Sequence, residues 1–460
     1  EVTFRVYNDG IAFKYGLKAI SDEEHIINEY TAYALPQGSK RWIQQYDPGY
    51  EKFFPLSTDG KLANRPEVDL WGYPALIEPR DSVFVLITEA NIRRGHCGSF
   101  LYNGDNRDNY QVRLGDKKLA FSGVWESPWR LLIAGSLADI TESTLVTDVS
   151  DPSKVEDTEW IKPGMVSWIY WAYNHGSQDY QIVKEYIDLA VKMKWSYDLI
   201  DWEWDVMRNG GNIQDAVKYS LSQGVKPLVW YNSSTNWIGP GPLFRLNKKA
   251  DREKEYKWLS DMGVAGIKVD FFSGDSVSTM NYYIDLLEDA VKYKLMLNFH
   301  GATIPRGWQR TYPHMMSVEG VYGAEWYNNT PVLTNRAAEH NATLPFTRNV
   351  VGPMDYTPGT FSDSQHPHIT SYGHELALPI IFESALQHMP DRPSVYYDMP
   401  EPVKKLLSDL PAAWDDTKLL TGYPGMEVVM ARRKGDVWYI AGINGTNEPR
   451  TLCFSLKDLS

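Results

Sequence analysis

The sequence predicts a protein with three parts: an N-terminal β-sandwich, a central (β/α)8 TIM barrel and a small C-terminal β-domain. The chain has 460 residues, which is more than one ordinary domain contains. Its pattern also changes twice along the chain, from short alternating strands to strands separated by amphipathic segments, and then back to alternation. We therefore expect domains over residues 1–150, 151–398 and 399–460.

The N-terminal region consists of short apolar and polar alternations separated by turns. The clearest segments are Thr3–Tyr7, Ile11–Tyr15, Ser82–Thr88 and Arg130–Ala134. Alternation with a period of two indicates strands with one buried face, and a series of such strands is typical of a β-sandwich. The chain begins in such a strand and shows no signal peptide, so we expect a trimmed or processed fragment.

The central region alternates predicted strands with predicted helices. The expected barrel strands are Val166–Trp171, Tyr197–Asp201, Pro227–Tyr231, Ile267–Asp270, Leu295–Phe299, Met315–Glu319, Asn349–Asp355 and one near Leu386–His388. Amphipathic segments such as Asp179–Met193 and Met280–Lys292 lie between them and predict helices. In such a barrel the active site lies at the C-terminal ends of the strands. Further along, Val428–Gly442 alternates again and predicts the C-terminal β-domain.

Composition excludes several classes of partner. The net charge of −13 and the pI near 5.3 argue against nucleic acid and against an anionic membrane surface. No segment approaches the ~20 apolar residues that a membrane span needs. The content of 17 Trp and 29 Tyr residues is unusually high; we expect most of them in the core, but sugar-binding clefts also favour such flat, amphipathic faces. Trp171, Trp230 and Trp326 follow strands or motifs and could bind a sugar, but core packing is the simpler explanation for them.

Asp270 ends the fourth predicted barrel strand and is the leading catalytic candidate. Lys268 lies two residues earlier, so both side chains project from one face of the strand. A neighbouring cation favours the ionised carboxylate that a nucleophile requires, although a structural Lys–Asp pair explains the pattern equally well. Glu319 and Glu325 follow the sixth strand. Carboxylates from strands four and six that face one sugar ring are the usual arrangement for glycoside hydrolysis.

Other strand ends supply candidates for substrate binding. Asp201 and Glu203 follow the second strand and alternate onto one face, so they could hold sugar hydroxyls, with only one expected to reach the ligand. His300 follows the fifth strand and could donate a hydrogen bond to a sugar hydroxyl, while a structural role is equally compatible with a single His.

These residues resemble glycoside hydrolase family 97. The motifs that carry the resemblance are Ser127–Arg130, Tyr197–Asp201, Lys268–Asp270, Asn298–Ala302 and Val318–Glu325. The resemblance covers almost the whole chain and implies the same sandwich, barrel and small β-domain. Members of the family carry a longer N-terminal sandwich, so we expect both terminal domains of this chain to be truncated.

The family contains two mechanistic types, and the resemblance assigns this chain to one of them. In the inverting α-glucosidase type, a Glu that activates water follows the motif His, whereas this chain has Gly301 there. The retaining type, which resembles α-galactosidases, instead places a nucleophilic Asp at the end of strand four. Asp270 matches that position, and Glu325 matches the acid/base. The resemblance therefore implies a retaining α-galactosidase that hydrolyses terminal α-galactosides through a covalent glycosyl-enzyme.

The resemblance also implies a calcium ion (Ca2+). Glu319 matches one ligand, and Glu325 lies next to the ion and belongs to the expected ligand set. A third carboxylate should come from the N-terminal sandwich, where Glu51 is the first choice and Glu89 the alternative. Calcium prefers hard oxygen ligands and tolerates one from another domain. For Glu51 alone, an exposed surface carboxylate explains the sequence equally well.

Two alternative functions stay open. The first is an α-glucosidase or a broader α-glycosidase of the same family, because galactose and glucose differ only at the C4 hydroxyl. The second is a non-catalytic carbohydrate-binding protein on the same scaffold, although a binder has no need for both Asp270 and Glu325. The expected partner is an oligosaccharide or an α-galactoside, and the resemblance implies a periplasmic or secreted location.

Overall fold

The computed structural model describes residues 1–363, 366–367 and 369–459. It confirms the predicted order of a β-rich N-terminal domain, a parallel β/α barrel and a small antiparallel sheet. Within these residues, no helix combines the length and the apolar character needed to cross a bilayer.

The N-terminal domain is antiparallel throughout its described strands. They are β1 (Val2–Tyr7), β2 (Gly10–Lys18), β3 (Glu24–Ile26), β4 (Ala32–Ala34), β5 (Lys40–Gln45), β6 (Leu56–Ser57), β7 (Leu70–Arg80), β8 (Val83–Ala90), β9 (Ser99–Tyr102), β10 (Asn109–Leu114), β11 (Leu119–Phe121), β12 (Val124–Glu126) and β13 (Trp129–Gly135). β3 pairs with β11, and the other strands form one large sheet. In β13, Leu131 and Ile133 are fully buried, which is the inward face of the alternation seen in the sequence.

Two short helices, α1 (Leu137–Thr141) and α2 (Leu145–Asp148), lead into the barrel. Its parallel strands are β14 (Gly164–Trp168), β15 (Tyr197–Ile200), β16 (Lys226–Asn232), β17 (Gly266–Asp270), β18 (Met296–Phe299), β19 (Met315–Val318) and β20 (Leu386–Met389). The helices around them are α3 (Tyr180–Met193), α4 (Ile213–Ser222), α5 (Lys249–Met262), α6 (Val277–Val291), α7 (Trp308–Thr311), α8 (Trp326–Asn329), α9 (Pro331–Asn341), α10 (Tyr372–Ile381), α11 (Pro393–Tyr397) and α12 (Glu401–Asp409). Most of the strands are buried along their whole length, as expected for a parallel sheet covered by helices.

The ring of strands is closed except at one place. In the described chain the order is β14 to β19, with β20 returning to pair with β14, so the ladder is interrupted between β19 and β20. The strand predicted over Asn349–Asp355 is therefore wrong. Arg348–Val351 forms a 3-10 helix, and Pro353 has no N–H to give to a ladder. The segment still fills the gap, because the backbone N–H of Asp355 donates to Val318 O at 3.0 Å.

The C-terminal part forms a three-stranded antiparallel sheet within the described residues. Its strands are β21 (Asp416–Tyr423), β22 (Glu427–Lys434) and β23 (Val437–Asn444). β22 and β23 correspond to the alternation predicted over Val428–Gly442. Arg432 of β22 is buried and donates to the carbonyl oxygens of Ile380 and Ile381, which attaches this sheet to the end of α10.

Candidate active site

The C-terminal ends of the barrel strands surround a cavity of about 240 Å³. Six of the eight residues predicted for the site line it: Glu51, Asp201, Lys268, Asp270, Glu319 and Glu325. The remaining wall is largely aromatic. A small concave site that combines convergent carboxylates with aromatic faces is suited to binding and cleaving a sugar.

Asp270 is the last residue of β17 and points into this cavity. Its Oδ2 accepts a hydrogen bond from Trp230 Nε1 at 3.1 Å, and its Oδ1 accepts one from the N–H of Phe271 at 2.8 Å. The side chain is 11% exposed, so its environment is largely protein rather than bulk water. Two donors fix the carboxylate in one orientation, as a nucleophile requires.

Lys268 lies beside Asp270 on the same face of β17, as the spacing predicts. Its Nζ is 3.3 Å from Asp201 Oδ2 and 4.0 Å from Asp270 Oδ2, and it lies over the Trp168 ring. Burial alone would lower the pKa of Lys268, but attraction to the two carboxylates outweighs that effect and raises it. Lys268 is therefore a permanent positive charge between two acids at the cavity floor.

The backbone at Gly301 leaves no room for a side chain beside Asp270. Its φ is +47°, a left-handed conformation that favours glycine. A Cβ here would lie 2.9 Å from the Phe271 nitrogen and 3.0 Å from Asp270 Oδ1. A glutamate at position 301 would thus require the end of β17 to move.

Glu319 and Glu325 are brought to the cavity by the loop after β19. The chain turns at Gly320, whose φ is +44°, and α8 begins directly after Glu325. Burial raises the pKa of Glu325, and Asp270 and Asp201 add to this effect, while Lys268 and His300 oppose it. A raised pKa favours the protonated carboxyl group, which is the form that a general acid needs.

Glu51 reaches the cavity from the N-terminal domain. Its Oε2 accepts a hydrogen bond from Trp326 Nε1 at 2.6 Å. Burial, followed by repulsion from Glu325, raises the pKa of Glu51 to about 8. The structure therefore places Glu51 in the site, as the first choice from the sequence proposes.

A buried network holds the loop that carries Glu51. The hydroxyl of Tyr50 donates to Asp275 Oδ2 at 2.7 Å and accepts from Arg306 Nη2 at 2.8 Å. Arg306 is also 3.0 Å from Asp275 and donates to Glu89 at 2.7 Å. These contacts join the N-terminal domain to the barrel, so the position of Glu51 depends on both domains.

Glu89, the alternative third metal ligand, does not line the cavity. Its carboxylate pairs with Arg130 at 2.6 Å and Arg306 at 2.7 Å, and it accepts hydrogen bonds from Ser99. These partners already satisfy its charge. Glu89 therefore has a structural role in the interface between the two domains.

His300 lies behind the cavity wall and connects two buried acids. Its Nε2 is 2.6 Å from Asp355 Oδ2, and its Nδ1 is 3.5 Å from Glu319 Oε1. Asp355 also accepts from Asn298 at 2.6 Å and from His388 at 3.0 Å. His300 is 1% exposed, so it is too deep to line the cavity, and Glu319 is instead oriented by the N–H of Gly301, which donates to its Oε2 at 2.7 Å.

Glu203 corrects the prediction that it and Asp201 share one strand face. β15 ends at Ile200, and Glu203 has a left-handed φ of +63°, so the alternation stops before it. Its carboxylate instead contacts His175 and accepts from Gln178 Nε2 at 2.8 Å, outside the cavity lining. Asp201 does line the cavity, where its Oδ2 accepts from Trp168 Nε1 at 2.7 Å.

The crowded acids fit a divalent cation. His300, Glu319 and Glu325 each offer a ligand atom, and these atoms lie within 4.8 Å of one another. Burial, together with repulsion from Glu51 and Glu325, raises the pKa of Glu319 well above its usual range. Buried carboxylates that repel each other are stabilised by a cation between them. Glu51, Glu319 and Glu325 are the oxygen donors that could hold it.

Several aromatic residues of the site were missed by sequence reasoning. Trp202, Trp237, Tyr170 and Phe271 all line the cavity. Trp202 and Phe271 directly follow predicted strands and Tyr170 lies near the end of one, and these positions were the only available indication. Trp237 lies in the long connection after β16, where the sequence shows no regular pattern.

A larger cavity of about 570 Å³ lies at the opposite end of the barrel, where Met315 begins β19. Two of its carboxylates are neutralised, since Glu142 pairs with Lys418 and Asp415 pairs with Lys434. Catalytic residues of such barrels occupy the C-terminal strand ends. The smaller cavity is therefore the candidate active site.

Comparison with known proteins gives family matches over three segments of the chain. Three family sequence models match in order: "Glycosyl-hydrolase 97 N-terminal" over residues 1–152, "Glycoside hydrolase 97" over 163–321 and "Glycosyl-hydrolase 97 C-terminal, oligomerisation" over 413–460. The first and last of these correspond to the β-rich terminal regions, and the second contains β14 to β19.

Individual relatives align with nearly the whole of this chain. A "Probable retaining alpha-galactosidase" of Streptomyces bingchenggensis is 34% identical over 454 residues, which is 96% of this chain and 68% of that protein. A "Retaining alpha-galactosidase" of Bacteroides thetaiotaomicron is 29% identical over 500 residues, covering 96% of this chain and 73% of that protein. A solved beta-arabinopyranosidase has 30% identity and a TM-score of 0.91, covering 97% of this chain and 76% of that one.

Proposed function

The chain belongs to glycoside hydrolase family 97, and from this premise we propose that it is a retaining α-galactosidase. A glycoside hydrolase cleaves the bond between a sugar and its leaving group, so its substrates are carbohydrates. The observation that supports the retaining type most strongly is the pair formed by Asp270 and Gly301. Asp270 is fixed at the end of β17, and the space that a base at position 301 would need is filled by Asp270 and Phe271.

In the proposed mechanism Asp270 is the nucleophile and Glu325 is the acid/base. Asp270 attacks the anomeric carbon while Glu325 gives its proton to the departing oxygen, which leaves a covalent glycosyl-enzyme. Glu325 then takes a proton from water, and this water replaces Asp270 at the anomeric carbon. The two inversions give net retention. Lys268 and Asp201 at the cavity floor are the proposed contacts for the hydroxyls of the bound sugar.

We propose calcium as the cation of the acidic cluster, with Glu51, Glu319 and Glu325 as its carboxylate ligands. Hard carboxylate oxygens, one of them from another domain, are the kind of ligand that calcium accepts. Bound there, the ion would neutralise charge beside the acid/base. His300 is the less suitable donor, because calcium prefers oxygen to imidazole nitrogen.

The proposed sugar specificity is for α-D-galactosides. An α-D-galactoside and a β-L-arabinopyranoside share the configuration of their ring hydroxyls and differ in the hydroxymethyl group, and the solved beta-arabinopyranosidase resembles this chain closely in fold. Aryl α-D-galactoside, α-D-glucoside and β-L-arabinopyranoside should therefore be compared directly. We expect the highest kcat/KM for the galactoside. Binding of all three without turnover would favour the non-catalytic alternative.

Replacement of Asp270 tests the proposed nucleophile. Asp270→Gly should abolish turnover, and azide should restore part of it by occupying the vacated space and forming the β-galactosyl azide. Asp270→Asn is the matched control, because its amide fills that space and should prevent rescue. Full activity of Asp270→Gly without an added anion would contradict the assignment.

We also propose the periplasmic or secreted location that the resemblance implies. Fractionation of cells that express the full-length gene would test it, and activity confined to the cytoplasmic fraction would contradict it.

A further inference from the structure

The floor and the mouth of the catalytic cavity differ in chemistry. At the floor, Lys268 is 3% exposed and Asp270 is 8% exposed. At the mouth, the indole of Trp237 lines the same cavity and is 48% exposed. A large apolar side chain left half in solvent at the entrance to a reactive site can bind a ligand there.

The loop that carries Trp237 is fixed by the end of β16. Asn232 is 1% exposed, and its Nδ2 donates to Trp237 O at 3.0 Å and to Pro240 O at 3.3 Å. Its Oδ1 accepts from the N–H of Ser234 at 2.7 Å. One buried side chain thus determines the course of the loop, so Trp237 is held in position before any ligand arrives.

The ring of Trp237 is also supported from behind. It packs edge-on against Phe271, with ring centroids 4.6 Å apart and an angle of 88°. On another side it lies 6.0 Å from Trp202, which is 9% exposed and also lines the cavity. Supported aromatic rings of this kind offer a rigid flat surface at little cost in conformational entropy.

We propose that Trp237 is the surface against which the leaving group of the substrate packs, which makes it a determinant of specificity. This inference rests on the proposed hydrolysis of α-galactosides. The reacting sugar must place its anomeric carbon at Asp270 on the buried floor, and a cavity of about 240 Å³ has room for about one sugar ring. The group attached to that carbon must therefore extend toward the mouth. Sugars and aryl groups have the flat apolar faces that pack on an indole.

Substrates with and without a flat leaving group distinguish binding at the cavity floor from packing against Trp237. The α-galactosyl fluoride releases only fluoride, so it needs the floor of the cavity but has nothing to pack against Trp237. Melibiose and the p-nitrophenyl α-galactoside carry a sugar and an aryl group. For Trp237→Ala, we expect kcat/KM to fall about tenfold for the latter two and to change less than threefold for the fluoride.

Two further variants control for loss of an apolar side chain. Ile238 is next to Trp237, has the same 48% exposure and does not line the cavity, so Ile238→Ala should leave all three substrates unaffected. Trp237→Phe keeps a flat ring and should keep most of the activity on melibiose.

Each outcome bears on a different part of the proposal. If Trp237→Ala lowers kcat/KM equally for the fluoride and for melibiose, or lowers neither, then Trp237 does not bind the leaving group and the inference is overturned. If the wild-type protein does not cleave the fluoride at all, the proposed α-galactosidase function fails, and the inference fails with it. A selective loss on melibiose and the aryl substrate would support both.

Discussion

Removal of divalent metal should make the stability of this protein fall as the pH rises from about 5 to about 8. Glu319 is buried, Glu51 and Glu325 are partly buried beside the same cavity, and each of the three has a raised pKa. A carboxyl group whose pKa is higher in the folded state holds its proton better when folded than when unfolded. Its contribution to stability is fully present below its ordinary pKa and is lost as the pH passes through the raised pKa.

The size of this effect follows from Glu51, whose pKa rises from 4.5 to about 8. A difference of this size corresponds to about 4–5 kcal/mol of folding free energy, lost progressively between about pH 4.5 and pH 8. If the barrel or the whole chain unfolds as one cooperative unit, this loss of folding free energy lowers the Tm by about 5–10 °C. Glu319 and Glu325 act in the same direction.

Calcium should remove this dependence. An ion that binds only the folded state, present at about 100 times its Kd, adds about 2.7 kcal/mol of stability and keeps Glu51 and Glu319 deprotonated, while Glu325 still carries the proton that it donates in catalysis. Thermal unfolding should be followed from pH 5 to pH 8 in EGTA and in excess calcium. The metal-free Tm should decline over this range, while the calcium-loaded Tm should stay nearly constant.

The variant Glu51→Gln removes one of the three charges and should make the metal-free Tm less sensitive to pH. It should also weaken calcium binding in a direct titration by calorimetry. If the Tm profiles with EGTA and with calcium have the same slope, the acidic cluster does not hold a metal, and the reasoning from mutual repulsion is refuted.

Two further predictions concern the buried cations. Arg306→Met removes the cation that pairs with Asp275 and one of the two that pair with Glu89, so it should lower the free energy of unfolding by about 3–5 kcal/mol in urea. An unchanged midpoint would contradict this role. Lys268→Met removes the positive charge 4.0 Å from Asp270 and should lower kcat at least 100-fold, in addition to lowering stability by leaving Asp201 and Asp270 without their cation. A wild-type kcat would show that the ammonium serves packing alone.

The barrel could be predicted from the sequence because its strands are short apolar runs that end in polar residues. The segments around Asp270 and Glu319 show this pattern clearly, and both strands form where expected. The pattern was misleading over 349–355, where two apolar residues precede Gly352 and Pro353. Proline cannot join a ladder, so that segment crosses the gap with isolated hydrogen bonds instead.

The parts of the site that local sequence patterns do not reveal depend on contacts between distant segments. Glu51 is held in the site because its neighbour Tyr50 contacts Asp275 and Arg306, and nothing nearby in the sequence indicates these contacts. Only the family resemblance indicated the role of Glu51. Glu203 was misplaced because alternation was extended beyond the last residue of β15. Trp237 is held by a side-chain hydrogen bond from Asn232 to its backbone, which no local pattern reveals.

The stereochemistry of the first product tests the central claim most directly, because a covalent intermediate on Asp270 requires net retention. The anomeric protons should be followed by NMR during the first minutes of hydrolysis of an aryl α-galactoside, before mutarotation mixes the anomers. We predict that α-galactose appears first and that the β-anomer accumulates only later. If β-galactose appears first, a single displacement by water has occurred, and Asp270 acts as a base rather than as a nucleophile.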